Sequence, residues 1–212
     1  MADRPSLAPG TLPPRMDVSI RPLVRDRWPE AGRLAGRAFW TEDYMTPFAD
    51  DPLERFAVVQ DIYLRMESSA STTTLAAFAG DHIAGFASVE RGACFFCGLD
   101  PASPPPTEDR TAEVLHGVDL AIRDLHTGLP AHANIGPVAV EPTLQGRGIG
   151  AALVDAAYEL AAADAPPTVS LDCDPRLQGF YEARGFRPVA RVTDPWGFEI
   201  VGLRRDRTRP VP

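Results

Sequence analysis

The sequence contains no lysine: all 21 basic residues are arginine. That absence excludes Schiff-base catalysis and the lysine with which P-loop proteins grip a phosphate. Asparagine is nearly missing too, with Asn134 alone, and the many Ala and Pro residues fit a GC-rich coding bias. No run reaches the roughly 18 apolar residues of a membrane span. The opening M-A-D-R-P-S-L-A-P-G-T-L-P-P-R lacks the apolar segment of a secretory signal. A cytoplasmic protein is therefore expected, with flexible tails over 1–16 and 205–212. Positive charge is in deficit, at a net −8. An acidic chain is a poor partner for nucleic acid or anionic membrane, whose phosphates need a basic face, so neither partner is expected, and cationic ones are.

Cysteine is scarce. Cys94, Cys97 and Cys173 make an odd count, which suggests reduced thiols. The C-x-x-C at 94–97 raises a metal or redox role. No second C-x-x-C and no closely spaced His pair accompanies it, so the cysteines read as small buried hydrophobes and no metal site is expected.

What is present suits one domain over 17–204, in 212 residues that are 44% hydrophobic. D-V-S-I-R-P-L-V (17–24) alternates like a strand. Asp26 is placed to cap a helix bearing Trp28, Ala31, Leu34, Ala35, Ala38 and Phe39. Asp51-Pro52 opens a second helix carrying Leu53, Phe56, Val59, Ile62, Tyr63 and Met66. T-T-T-L-A-A-F-A and I-A-G-F-A-S-V-E flank Gly80-Asp81 as a hairpin. Residues 98–109 read as a loop or lid, and 110–126 as a helix. A strand (133–140), a glycine turn, a helix (148–163) stopped by Ala165-Pro166-Pro167, and the strand T-V-S-L-D-C follow. Asp174-Pro175 caps a short helix ended by Gly185, and two strands around Thr193–Trp196 close the chain.

The glycine turn E-P-T-L-Q-G-R-G-I-G (141–150) admits three readings. Glycines needed only for packing are costly in backbone entropy at three in five residues. A dinucleotide fingerprint fits Gly146, Gly148 and Ala151, with Asp172 as the ribose-binding acid. Against it, five residues separate strand from first glycine, and too little chain follows for a doubly wound sheet. The third reading is a different pyrophosphate cradle, in which the N–H groups of 146–151 and the helix dipole face the ligand. Gly136-Pro137 favours it. Proline has no N–H for a sheet ladder, so the strand is expected to splay there and leave backbone groups for an amide-bearing ligand such as pantetheine.

Gln145-Gly-Arg-Gly148-Ile-Gly150 and Phe180-Tyr181-Glu-Ala-Arg-Gly185-Phe186, with a helix and a strand between them, resemble the two signature elements of the GNAT superfamily of acyl-CoA-dependent N-acetyltransferases. The resemblance covers about 17–204, and A-F-W…D-D-P-L-E-R is loosely similar to the puromycin-acetyltransferase type. It implies a mixed α/β fold: a mostly antiparallel sheet of six to seven strands, flanked by four or five helices, with a splayed pair binding acetyl-CoA. It implies direct attack of an amine on the thioester, by a monomer or homodimer. Cofactor contacts are expected from Val138, Ala139, Val140, Gln145, Gly146, Arg147, Gly148, Ile149, Gly150, Ala151, Asp174 and Tyr181. The Tyr of the F-Y run serves as general acid in the family, which assigns Tyr181.

Where some members carry a Glu base, this chain has Asn134. His132, on the same strand face, titrates near neutral pH and is the first candidate base; Glu90 is the second, beside a water chain with no single base. Asp174 already has a structural task as helix cap. The acceptor pocket is expected to draw on Trp40, Glu42, Asp43, Tyr44, Phe48, Asn134 and Trp196, carboxylates among aromatics that suit a small amine with an apolar body. A metabolite or drug-like amine is the first expectation, a peptide amine or an idle acyl-CoA-binding module the alternatives.

Overall fold

The structure, a computed structural model, describes residues 15–65, 72–91, 94–107, 109–163 and 168–207. Most of the expected tails, Met66 and the Ala165-Pro166-Pro167 stop lie outside these residues. The elements are β1 (Ser19–Pro22), α1 (Trp28–Phe39), α2 (Pro52–Arg65), β2 (Thr72–Ala79), β3 (His82–Glu90), α3 (Arg110–His126), β4 (His132–Val140), α4 (Ile149–Ala163), β5 (Thr168–Cys173), α5 (Gln178–Glu182), β6 (Arg187–Thr193) and β7 (Glu199–Asp206). One seven-stranded sheet runs β1-β2-β3-β4-β5-β7-β6. Only β4 and β5 pair in parallel; every other neighbour is antiparallel. The expected mixed, mostly antiparallel architecture is the observed one, and a doubly wound parallel sheet is excluded.

Local chemistry explains most boundaries. Asp51 Oδ1 accepts from the N–H groups of Leu53 and Glu54, each at 2.9 Å, so α2 starts at Pro52. Asp109 caps α3 by accepting from Ala112 N at 2.8 Å. Gly80, at φ +59, makes the β2–β3 turn. Asp26 is not a cap: Arg25–Arg27 form a 3-10 turn, and α1 begins behind it with Pro29 in its first turn. Rigid proline geometry replaced the side-chain cap. Residues 205–206 belong to β7 rather than to a tail.

The sheet is sandwiched between unlike layers. On one face α4 packs Ile149, Leu153, Val154, Ala157 and Tyr158 with Ala133, Ile135, Val169, Leu171 and Leu203; Tyr181 and Phe186 complete this cluster. On the other face α1 sets Trp28, Ala31, Leu34 and Ala35 against Phe86 and Ala139. A third cluster joins Met45, Phe48, Val59, Ile62 and Val114, so it links the α1–α2 turn, α2 and α3. Leu125 of α3 lies over Gly202 of β7, and Val201 and Leu203 point into the α4 cluster. Side chains alternate along a strand, so α3 shares the α1 face.

α4 approaches the sheet closely over Gly85. A Cβ there would stand 2.6 Å from the Ala139 carbonyl oxygen and 3.0 Å from Leu153 Cδ1. Backbone does not yield cheaply, so Gly85→Ala is expected to destabilise by about 1–3 kcal/mol, read as a lower denaturant midpoint at unchanged m-value.

Candidate active site

β4 is the element on which the site depends. Its parallel pairing with β5 covers His132–Ile135 against Thr168–Leu171 and stops there. β5 continues through Asp172 and Cys173 paired with β7 alone. Against β3, Ala87↔Val138 and Val89↔Ile135 leave one extra residue on β4, a bulge at Gly136-Pro137. The splay therefore lies where the proline removes a ladder donor. Glu141 N–H donates to Ala84 O at 3.0 Å, toward β3. Backbone groups alternate sides along a strand, so Ala139 also turns to β3, while Val138 and Val140 turn to the gap. Gln145 Nε2 donates to Val140 O at 3.3 Å from that open side.

At the gap's end stands the glycine turn. Gly146 and Gly148 have φ +77 and +84, values that a Cβ makes costly. Ala152 N–H donates to Gly148 O at 3.0 Å and begins the helical ladder. The N–H groups of Ile149, Gly150 and Ala151 before it have no intrahelical acceptor. Gly150 brings the two sequence motifs together: a Cβ on it would lie 3.7 Å from the Phe180 ring and 3.5 Å from Val140. Arg147 is half-buried. Its carbonyl accepts from Met16 N at 3.2 Å. Arg15 then lies over Gly148, with Nε 3.8 Å from a Cβ built there. These two residues, assigned to the tail from sequence, put a second guanidinium beside the turn. No motif marked Arg15, because it reaches the turn only through tertiary packing.

Tyr181 is 7% exposed and sits among Phe180 and Phe186, with ring centroids 5.0 and 6.3 Å away. Burial, with nearby Cys173 adding to it, pushes its hydroxyl well above the usual tyrosine range. The group thus keeps its proton through neutral pH. No side chain or carbonyl among the described residues accepts from this hydroxyl.

Other expected residues are placed differently. His132 is 2% exposed and faces the cysteine loop: its Nε2 lies 2.9 Å from His126 Nδ1, and Pro130 O accepts from Nδ1 at 2.8 Å. This occupies both ring nitrogens and turns them from the gap. The cysteines are not the buried hydrophobes expected: Cys94 is half-buried, Cys97 exposed and only Cys173 buried. Asp174 binds Arg176 N at 2.7 Å and the Arg176 guanidinium, which holds its carboxyl below the ordinary range. Its work is capping. Asn134 is buried, and its Oδ1 accepts from Ser170 Oγ at 3.1 Å on the floor between β4 and β5. Asp172, read as a ribose acid in the dinucleotide alternative, lies 3.3 Å from His126 Nε2.

Of the residues expected on the acceptor side, Tyr44, Phe48 and Trp196 cluster with Val114, Leu115 and Val118 of α3. Trp196 fits because α3 carries Gly117, where a Cβ would meet its ring at 2.6 Å. Trp40 stands apart, edge-on to Phe56 at 6.4 Å. Asp43 is exposed. Glu42 is paired at 3.0 Å with Arg176, a guanidinium that it shares with Asp174. Two shallow depressions, of about 340 and 350 Å³, flank α3 against Thr46–Asp50 and against Thr193–Pro195.

Two carboxyls are instead tuned by burial. Glu90 accepts from Phe95 N at 3.2 Å, and burial raises its pKa. Asp119, half-buried, is lifted to about 7 by burial. It occupies the α3 flank shared by Leu115 and His126, one turn from the first and two from the second. Sequence reading missed it because a mid-helix Asp looks like a solvated position.

The sequence profile of the acetyltransferase (GNAT) family matches residues 34–186, more than two thirds of the chain. The chain belongs to that family. Among solved structures, a Corynebacterium glutamicum protein titled histone acetyltransferase HPA2 and related acetyltransferase has a TM-score of 0.65 at 16% identity, covering 93% of this chain and 100% of that one. A mosquito arylalkylamine N-acetyltransferase like 5b has a TM-score of 0.59 at 15% identity, covering 90% and 100%. The Escherichia coli ribosomal-protein-S18-alanine N-acetyltransferase has a TM-score of 0.57 at 13% identity, covering 92% and 97%. At these identities the likeness is one of fold. No helix among the described residues is long and apolar enough to cross a membrane.

The family fold here holds a carboxyl in an unfavourable setting. Asp119 has a raised folded pKa, so its burial costs stability once the unfolded chain ionises, above pH ~4, and the full cost is present above about pH 7. Asp119→Asn is expected to raise Tm at pH 8, with the gain shrinking toward pH 4 in a Tm-against-pH series.

Proposed function

We propose that this family member transfers an acetyl group from acetyl-CoA to the amine of a small molecule. The carrying observation is the gap between β4 and β5, bounded by the glycine turn at α4 and backed by Tyr181. The residues fit the cofactor. The free N–H groups at Ile149, Gly150 and Ala151, the helix dipole and two arginines suit a pyrophosphate. The gap-facing backbone of Val138 and Val140 suits the amides of pantetheine. When bound, acetyl-CoA supplies an activated acetyl thioester.

The chain's own work is positioning and proton handling. Val138 N–H or Val140 N–H donates to the thioester oxygen as negative charge develops there. Asp119, poised near working pH, receives the ammonium proton so that a neutral amine attacks; Glu90 is the second carboxyl for this role. As the C–N bond forms and the C–S bond breaks, Tyr181 gives its proton to the departing sulfur, and the second proton of the amine nitrogen leaves through water to restore the Tyr181 hydroxyl. His132 has no part in this scheme, because its nitrogens are engaged elsewhere.

The acceptor is a cationic amine with an apolar body. Tyr44, Phe48 and Trp196 offer aromatic surface, and Asp119 and Glu90 offer negative charge. α3, inserted between β3 and β4, walls this side and favours a small molecule over an extended peptide. Detoxification or antibiotic self-resistance is the role that fits such an acceptor, in a soluble cytoplasmic enzyme working as monomer or homodimer.

An amine panel assayed for thiol release from acetyl-CoA tests the proposal. Turnover with aromatic or other apolar cationic amines is expected; acetyl-CoA binding without turnover across small amines and peptides would instead mark a regulatory module. With an active amine, Tyr181→Phe is expected to lower kcat about 10²–10⁴-fold at little changed KM for acetyl-CoA. Asp119→Asn should remove the ascending limb near pH 7 from the kcat/KM profile; a limb that survives moves the base role to Glu90.

A further inference from the structure

Beside the transfer site, four metal-ligating side chains converge. Cys94, Cys97, His126 and His132 each offer one donor atom, and all four atoms lie within 4.8 Å of one another. Cys94 Sγ is 3.2 Å from His126 Nδ1, which is 2.9 Å from His132 Nε2. A tetrahedral zinc, with Zn–S of ~2.3 Å and Zn–N of ~2.0–2.1 Å, separates its donor atoms by roughly 3.3–3.8 Å. The cluster already stands at that scale. The pieces are distant in sequence: the C-x-x-C follows β3, His126 ends α3 and His132 begins β4.

The outer nitrogens supply a second, independent observation. Pro130 O can only accept, so the 2.8 Å contact places a proton on His132 Nδ1. Both carboxylate oxygens of Asp172 lie 3.3 Å from His126 Nε2 and hold a proton there in the same way. Each imidazole then turns its unprotonated nitrogen inward; the two nitrogens face each other across 2.9 Å, with the Cys94 sulfur 3.2 Å from that of His126. Both residues are 2% exposed, so water does little to relieve the repulsion. A cation between them converts it into two ligand bonds. A carboxylate on one metal-binding histidine and a backbone carbonyl on the other are the outer partners that zinc histidines have.

The cysteine bracket is preformed. Gly98 N donates to Phe95 O at 3.1 Å and Leu99 N to Phe96 O at 3.2 Å. Arg123 Nε holds Leu99 O at 3.0 Å, which ties this turn to α3. We propose that Cys94, Cys97, His126 and His132 bind one structural zinc ion. Two thiolates and two neutral imidazoles make a closed four-ligand set of borderline-soft donors, the type that selects zinc. The thiolates cancel the dication's charge, so the centre is neutral and tolerates burial, and the two thiol protons leave to solvent on binding. The ion staples the loop after β3 and the end of α3 to the start of β4. It thereby fixes α3, the wall of the acceptor side, without touching the reacting atoms. The spacing is C-x2-C-x28-H-x5-H, whose His pair is at the wide end of the zinc-site range.

Metal analysis of the reduced full-length protein, purified without chelator or metal-affinity resin, tests this. About one zinc per chain is expected. Chelation should free two thiols to a thiol reagent and lower Tm, and Co²⁺ added to the apoprotein should give the intense visible bands of a tetrahedral thiolate site. Cys97→Ser, at an exposed position, and His126→Ala should lose the zinc, whereas Cys173→Ser should keep it. Asp172→Asn should weaken zinc roughly 10–100-fold at unchanged stoichiometry. Zinc at the level of the buffer blank, with no tetrahedral cobalt spectrum, would overturn the proposal and leave a shared proton between the histidines. So would zinc retained in both Cys97→Ser and His126→Ala.

Discussion

One missing hydrogen bond donor organises this molecule. Pro137 cannot donate to a ladder, and with Gly136 it gives β4 a bulge against β3. β4 then departs from β5 after Ile135↔Leu171. In a continuous sheet, the backbone groups of Val138 and Val140 would be consumed by a neighbouring strand. Here they line the gap that opens where β4 leaves β5. Of the groups proposed for acetyl transfer, the start of α4 stands at the end of that gap and Tyr181 beside the last residues of β5.

The two faces carry different chemistry because different elements cover them. The α4 face is apolar and tightly packed, down to the contact over Gly85. It holds the glycine turn and Tyr181 rigidly against each other through Phe180 and Gly150. The opposite face carries the polar side chains Asn134, Ser170, Asp172 and His132, with His126 reaching down from α3. α3 thus links the aromatic cluster to the cysteine–histidine cluster. One flank receives Trp196, another carries Asp119, and its last residue joins the cysteine turn.

How much of this was legible in the sequence differs by kind of feature. α3 and β5 begin and end where the sequence places them, because a long amphipathic face, or Val169, Leu171 and Cys173 alternating with polar residues, is a local signal. The splay was legible for the same reason: a proline within a strand has one physical consequence wherever the strand packs. Asp26 failed as a cap because Pro29 gave α1 a cheaper start. Residues 15 and 16 were read as tail because nothing local shows that Met16 packs under the sheet and bonds Arg147.

The site divides along the same line. Gln145 to Gly150, Phe180 and Tyr181 could be picked out in one dimension, because cofactor cradles are built from contiguous backbone and leave a spacing behind. The acceptor side leaves no such trace, and the cysteine–histidine cluster leaves only part of one: the C-x-x-C at 94–97 stands out, but His126 and His132, five residues between them, do not register as its partners. Glu42 looks like a free carboxylate until Arg176, 134 residues later, is seen to hold it. His132 looks like a base until His126 and Pro130 are found at its two nitrogens. Asp119 looks solvated until burial lifts its pKa. The sequence by itself determined the fold family, the splayed strand and the glycine turn at the start of α4, all products of local backbone chemistry. Only the tertiary structure decided which side chains keep their charge and which are spent on one another, because partners and burial belong to residues that meet only in the folded chain.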